Sequence, residues 1–212
     1  MNYNEILIKY IDNYPTNEPI LIEDIKTYIK KIDYQNYNKI IKNIYVYINR
    51  LVKENKIIQY TKGIYYKPEQ GTFGTKILNI NKVITKKYIY NNKRNGYFSG
   101  AYLFNKLGLT TQIPNKILIV TNKCPNMNDY INKSLGVIIR KPKIEITEDN
   151  YKYLQLFDLL INKDNIKIAV DNEKEIIYKF IKDNDLKIDK TFLYATKTNN
   201  LKAIIRLYEL SF

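Results

Sequence analysis

The residues that carry most enzymatic chemistry are scarce in this chain. It has no histidine, which removes Ser-His-Asp triads, Cys-His dyads and His-ligated metal sites. Its one cysteine, Cys124, precedes Pro125 and can form neither an intrachain disulfide nor a cysteine cluster. It reads as an inert loop thiol in a reducing setting. The acidic clusters Asp183-Asn184-Asp185 and Glu173-Lys174-Glu175 lack the glycine and spacing of a calcium loop, so no metal site is expected. Ser99, Thr110, Thr111, Gln112 and Thr121 gather in the middle of the chain, but no base is at hand to activate a nucleophile. Only two carboxylates, Glu69 and Asp129, fall in residues 69–143, whereas metal-assisted hydrolysis or nucleotidyl transfer would want them clustered. The expectation is a chain that binds without catalysing and without a cofactor. Its mid-chain threonines and Gln112 would satisfy buried backbone groups, and Gly96, Gly100 and Gly108 would set turns and close packing.

What the sequence does supply is cations and amides. The 212 residues hold 35 Lys+Arg against 21 Asp+Glu, a net charge of +14, and only Arg50, Arg94, Arg140 and Arg206 are arginines. Lys, Asn, Ile and Tyr all have A/T-rich codons, so a biased genome could raise lysine without any polyanionic partner. Codon bias should act along the whole chain, and the charge does not. Residues 1–68 carry a net +4, residues 69–143 a net +11 and residues 144–212 a net −1. A basic field of this kind attracts nucleic acid, with salt-dependent affinity, or an acidic protein surface.

Three helices and a hairpin must position the N-terminal cations. Leu7, Ile8 and Ile11 mark a short helix over 4–13 that stops before Tyr14-Pro15, because the residue before proline is pushed out of the helical region. Leu21, Ile25, Tyr28, Ile29 and Ile32 mark a second. Tyr37, Ile40, Ile41, Ile44, Ile48, Leu51 and Val52 mark a third, and at about 100° per residue they fall within about 60° of one line. Opposite them lie Gln35, Lys39, Lys42, Asn43, Val46, Arg50 and Lys53, with no carboxylate. Lys and Arg there can reach phosphates or guanine edges, Asn and Gln can pair with adenine, and Val46 is either a contact for a thymine methyl or a neutral filler. The same face could equally be an ordinary solvated one. Ile57 to Tyr60 and Ile64 to Lys67 around Lys62-Gly63 then read as a hairpin. Helix, helix, helix, hairpin is the order of a winged helix-turn-helix, with the third helix in the major groove and Lys62 at the wing tip.

The rest reads as mixed α/β over 69–146 and helical over 147–212. A helix-like stretch, Ile80 to Tyr90, interleaves Lys82, Lys86 and Lys87 with apolar residues. Ser99 is placed to cap a helix running to Leu107, closed by Gly108 in the left-handed conformation. Ile117 to Val120, Gly136 to Arg140 and Lys143 to Ile146 are strand candidates, and helices are expected over 149–162, 171–183 and 200–210, with a short one near Phe192. The fold class expected is α+β, with domains at 1–68 and 69–212. Residues 1–9 lack the pattern of a signal peptide and no apolar run is long enough to span a bilayer, so a cytoplasmic setting away from membranes is expected.

The phrases R-L-V-K-E-N-K-I, K-G-I-Y-Y-K-P, Y-F-S-G-A-Y-L-F-N-K-L-G-L-T-T-Q-I-P and I-V-T-N resemble the AbiEi-type antitoxins, over roughly residues 1–145. These are winged-helix regulators of abortive-infection type IV toxin–antitoxin pairs. The resemblance implies repression at an inverted-repeat operator in double-stranded DNA. It also implies a second domain that counteracts a nucleotidyltransferase-like toxin, by contact or only functionally, and it carries no catalytic residues. It places the recognition helix at Gln35–Lys53, including Asn36, and the wing at Ile57–Lys67. Lys86, Lys87, Lys93 and Arg94 are candidates for a second DNA contact, and a homodimer on DNA is compatible with the operator. The chain departs from the family's arginine-rich surfaces by using lysine, which loses bidentate guanine contacts. The alternatives left open are a module that docks an acidic protein directly and a lone regulator without a toxin.

Overall fold

In a computed structural model describing residues 3–210, the first helix, α1 (Tyr3–Asp12), ends where Tyr14 meets Pro15, as the proline requires. A two-residue strand, β1 (Ile20–Leu21), follows, then α2 (Ile22–Ile32) and α3 (Tyr37–Lys53). The hairpin is β2 (Ile58–Thr61) and β3 (Ile64–Tyr66). Gly63 turns it at φ +78°, in the left-handed region that favours glycine. β1 pairs antiparallel with β3, Ile20 opposite Tyr65 and Leu21 opposite Ile64, which completes a three-stranded sheet. Sequence periodicity takes Leu21 as helical. Its pairing with a strand more than 40 residues away is a tertiary event with no local signal. Ile6, Leu7 and Ile11 of α1, Ile25 and Ile29 of α2, and Ile40, Ile44 and Ile48 of α3 form one core with Ile57 and Tyr65.

A second small hairpin, β4 (Gln70–Gly71) with β5 (Gly74–Thr75), precedes α4 (Ile80–Ile84), which runs into a π-helical turn over Thr85–Ile89. The expected single helix Ile80 to Tyr90 is therefore two kinds of helical turn, and Tyr90 is already extended. The chain divides into two compact units, Met1–Lys87 and Tyr88–Phe212. The sequence boundary at 68 thus moves to this π turn. Lys82 Nζ bonds the Glu18 carboxylate at 2.6 Å, and Lys86 Nζ lies 3.3 Å from Asp24, so the helix belongs to the first unit.

The second unit opens with a short ribbon, β6 (Tyr90–Asn91) and β7 (Lys93–Arg94). After it come β8 (Gly96–Ser99), α5 (Gly100–Lys106), β9 (Ile117–Thr121), β10 (Tyr130–Asn132) and β11 (Val137–Arg140). The sheet order is β10-β11-β9-β8, with β9 and β11 parallel and the other pairs antiparallel. Lys143 to Ile146 is not a strand. The Asn122 side chain takes the place of a ladder there, accepting from the Ile146 N–H at 2.9 Å and donating to its carbonyl at 2.8 Å. Gly108 closes the α5 segment at φ +77°. Then come α6 (Tyr151–Asn162), a 3₁₀ turn, α7 (Glu173–Asp183), α8 (Ile188–Lys197) and α9 (Leu201–Leu210). Tyr97, Leu103, Phe104 and Val120 bury against Leu154, Leu156, Phe157 and Leu160 of α6 and on to Phe180, Ala195 and Ala203. The class is α+β. No helix among the described residues is long and apolar enough to cross a membrane.

Gly96 is a close-approach glycine. A Cβ there would stand 2.6 Å from the carbonyl oxygens of both Tyr88 and Val120 and 2.9 Å from Thr121 Cβ. Gly96→Ala is expected to cost about 1–3 kcal/mol of stability, the usual range for overpacking, since two of the three neighbours are backbone. Urea denaturation of the variant checks this, and an unmoved midpoint would contradict it.

Candidate nucleic-acid interface

The outward face of α3 is set by what its inward face must bury. Ile40, Ile44 and Ile48 are fully buried and Leu51 nearly so. Lys39, Lys42, Asn43, Val46, Arg50 and Lys53 are accordingly exposed, Val46 at 59%. Among the described residues none of Lys39, Lys42, Arg50 and Lys53 is ion-paired, and no acid stands on their face. Asn38 and Asn49, also exposed, join this face. Asn49 is seven residues beyond Lys42, so helical spacing alone could have included it.

Gln35 and Asn36 precede the helix. They sit in the α2–α3 turn, where the Asp33 carboxylate accepts from the Asn36 backbone N–H and side-chain amide, each at 3.1 Å. The helix thus begins at Tyr37, where its apolar periodicity begins and two residues later than the start at Gln35 that the family resemblance implies. At its far end Asn55, at φ +55°, reverses the chain, and the Lys56 N–H reaches the Leu51 carbonyl at 3.0 Å. The flank of α3 holds a feature that one-helix patterns cannot reveal. Lys26 of α2 lies 5.9 Å from the Tyr45 ring, and Lys30 lies 5.7 Å from the Tyr34 ring and 5.8 Å from the Tyr37 ring. Tyr34 and Tyr45 are exposed, so this aromatic and cationic edge borders the α3 face. Lys62 is exposed at the tip of the β2–β3 hairpin.

The expected second contact surface fares differently. Lys86 is only partly exposed. It bonds the Tyr14 hydroxyl, lies 4.6 Å over the Tyr14 ring and is paired with Asp24. Burial brings its ammonium down to about 8. Lys87 is also partly buried and already partnered. Arg94 lies 3.9 Å over the Tyr151 ring and 5.3 Å from the Tyr90 ring, and bonds Glu148 at 3.3 Å through both Nε and a terminal nitrogen. Of these four, Lys93 alone is exposed without a partner among the described residues. Lys76, Lys82 and Arg140 are also paired, with Glu69, Glu18 and Asp129. The charge excess of residues 69–143 is thus partly met by acids that fold in from outside the segment.

The mid-chain polar residues divide. Thr121 Oγ1 lies 2.7 Å from the Tyr88 carbonyl and 3.0 Å from that of Asn95, and Thr110 accepts the Gln112 N–H at 3.2 Å. Thr111 and the Gln112 side chain are exposed instead. Ser99 precedes α5 but does not cap it. Its hydroxyl donates to Asp158 at 2.6 Å.

Residues 23–201 match the family described as a family of unknown function, DUF6088, and the chain belongs to it. No curated protein matches the chain.

Two tests follow from these environments. Lys86 binds its proton less well folded than unfolded. Its charge therefore opposes folding below pH 8, and that opposition fades as pH rises from about 8 to 10.5. An NMR titration of Lys86 is expected to give a midpoint of about 8. Arg94→Ala is expected to lose about 1–2 kcal/mol of stability with its ring contact, whereas Lys93→Ala stays within about 0.5 kcal/mol. Equal denaturation midpoints for the two would refute the packing role of Arg94.

Proposed function

We propose that this chain is a DNA-binding transcriptional autorepressor whose first unit acts as a winged helix-turn-helix. The carrying observation is the exposed face of α3, which presents unpaired Lys39, Lys42, Arg50 and Lys53 with amides and no acid. A helix of 17 residues, buried along one side and cationic along the other, fits the major groove, with cations on phosphates or guanine and amides on adenine. Val46, exposed in the middle of the face, adds an apolar contact suited to a thymine methyl. Lys62 at the hairpin tip serves as the wing contact.

The resemblance to AbiEi-type antitoxins supports the further reading that the protein is the antitoxin of a type IV pair with a nucleotidyltransferase-like toxin. The absence of histidine argues for binding over catalysis. A protein partner for the second unit is favoured by the exposed apolar side chains Ile188, Phe192, Leu193, Leu201 and Ile205 of α8 and α9. The cytoplasm, where DNA is met, is the compartment this reading requires.

Fluorescence anisotropy with a duplex from upstream of the gene tests the proposal. Affinity is expected to fall linearly on a log–log plot against salt. The double variant Lys42→Ala, Arg50→Ala is expected to lose about 1–3 kcal/mol for each base contact removed and to flatten the salt slope by about 0.9 for each phosphate contact removed. A double variant that binds as the native chain does would sink the assignment of α3.

A further inference from the structure

The second unit contains a pocket of about 240 Å³ beyond the carboxyl ends of the parallel strands β9 and β11. In sheets with parallel strands this end is where ligands settle, because the chain diverges there into loops and helices. Val120 and Phe157 supply apolar wall, and Asp158 and Asn162 of α6 and Asn200 before α9 supply polar groups. Arg140, Lys141 and Lys143 line the same pocket, and Asp158 is its one carboxylate.

The polar groups are arranged, not scattered. Ser99 and Tyr97 are two residues apart on β8, so they share a face of the sheet. Both hydroxyls donate to the Asp158 carboxyl, that of Ser99 at 2.6 Å. Burial pushes the Asp158 carboxyl up, while the Ser99 and Tyr97 hydrogen bonds and the Arg140 and Lys143 charges draw it down. Asn162 Nδ2 donates to the Asp158 carbonyl at 2.7 Å, leaving its Oδ1 unused, and the Asn200 side chain has no partner among the described residues. The Asp129 carboxylate already holds Arg140 at 2.9 and 2.7 Å. Lys141 and Lys143 form no ion pair among the described residues, and since Asp158, which feels Lys143 and Arg140, is the one carboxylate left to offset them, the pocket edge keeps a net positive charge. Lys143 Nζ is anchored on the Thr198 carbonyl at 3.1 Å with hydrogens to spare, and Lys141 is exposed, its Nζ 3.2 Å from the weak acceptor Met127 Sδ and otherwise without a partner among the described residues. Two ammonium groups match the charge of a phosphomonoester, about −1.5 to −2 at neutral pH. The amides and carboxyl suit a hydroxylated body.

We propose that this pocket binds a small phosphomonoester, with its phosphate on Lys141 and Lys143 and its hydrogen-bonding body against Asp158, Asn162 and Asn200. The site is built from residues of the second unit alone and does not depend on the DNA-binding reading.

Isothermal titration of the full chain with adenosine monophosphate, ribose 5-phosphate, adenosine and inorganic phosphate tests it. At least one of the two phosphomonoesters is expected to bind, and more tightly than either adenosine or inorganic phosphate. Lys141→Ala, whose side chain is exposed and holds no backbone group, is expected to weaken that binding about tenfold. Lys143→Ala is expected to do at least as much, and Lys116→Ala, outside the pocket, to change nothing. Asp158→Asn is expected to weaken the phosphomonoester but not inorganic phosphate. The proposal is overturned if neither phosphomonoester binds at millimolar concentration, if inorganic phosphate binds as tightly, or if Lys141→Ala binds as the native chain does.

Discussion

Burial of the isoleucine seam on α3 is the constraint on which the first unit depends. Ile40, Ile44 and Ile48 recur every four residues, each at 1% exposure or less, against α1, α2, Ile57 and Tyr65. Burying a side chain of this size is worth about 1.5–3 kcal/mol, far more than any exposed ion pair. The helix therefore has one rotational setting, and Lys39, Lys42, Val46 and Arg50 are turned outward by what lies behind them. The hairpin is bound to the same core. β3 carries Tyr65 into it and takes β1 as a second partner, and Gly63 is buried with its carbonyl accepting the Ile22 N–H at 3.0 Å, so Lys62 alone of the turn pair is exposed, on a fixed base.

Charge has a different logic from the one that segment totals suggest. Residues 69–143 look like a concentrated cationic surface, yet Lys82 meets Glu18, Lys86 meets Asp24 and Arg94 meets Glu148, all with acids from other segments. The ring contacts of Arg94 and Lys86 make them packing groups as much as charges. What survives as unpaired positive charge in the first unit includes the α3 face. In the second it includes the Lys141 and Lys143 edge of the pocket.

The segment from Gly96 to Gly100 illustrates how one short motif serves two demands. Gly96 lets β8 lie against two backbone carbonyls, and Ser99 and Tyr97 direct their hydroxyls to Asp158 of α6. A serine before a helix has two uses for its oxygen, the helix N-terminus or a distant acceptor. Here the hydroxyl donates to the Asp158 carboxyl, and no side-chain bond reaches the helix N-terminus.

The amino-acid sequence by itself determined the elements whose signals are local. It marked α3 through its isoleucine spacing, the β2–β3 turn through Lys62-Gly63, and the end of α5 through Gly108, because helical periodicity and glycine's backbone freedom act within a few residues. It also determined which side of α3 is acid-free. Tertiary structure alone decided the pairing of β1 with β3, the replacement of the Lys143–Ile146 strand by the Asn122 amide, and the removal of Lys86 and Arg94 from the candidate surface. It decided the Ser99–Asp158 contact and the pocket beside it too. Each of these joins residues from 24 to more than 70 positions apart. Such contacts depend on the path of the whole chain, and no periodicity or spacing rule encodes that path.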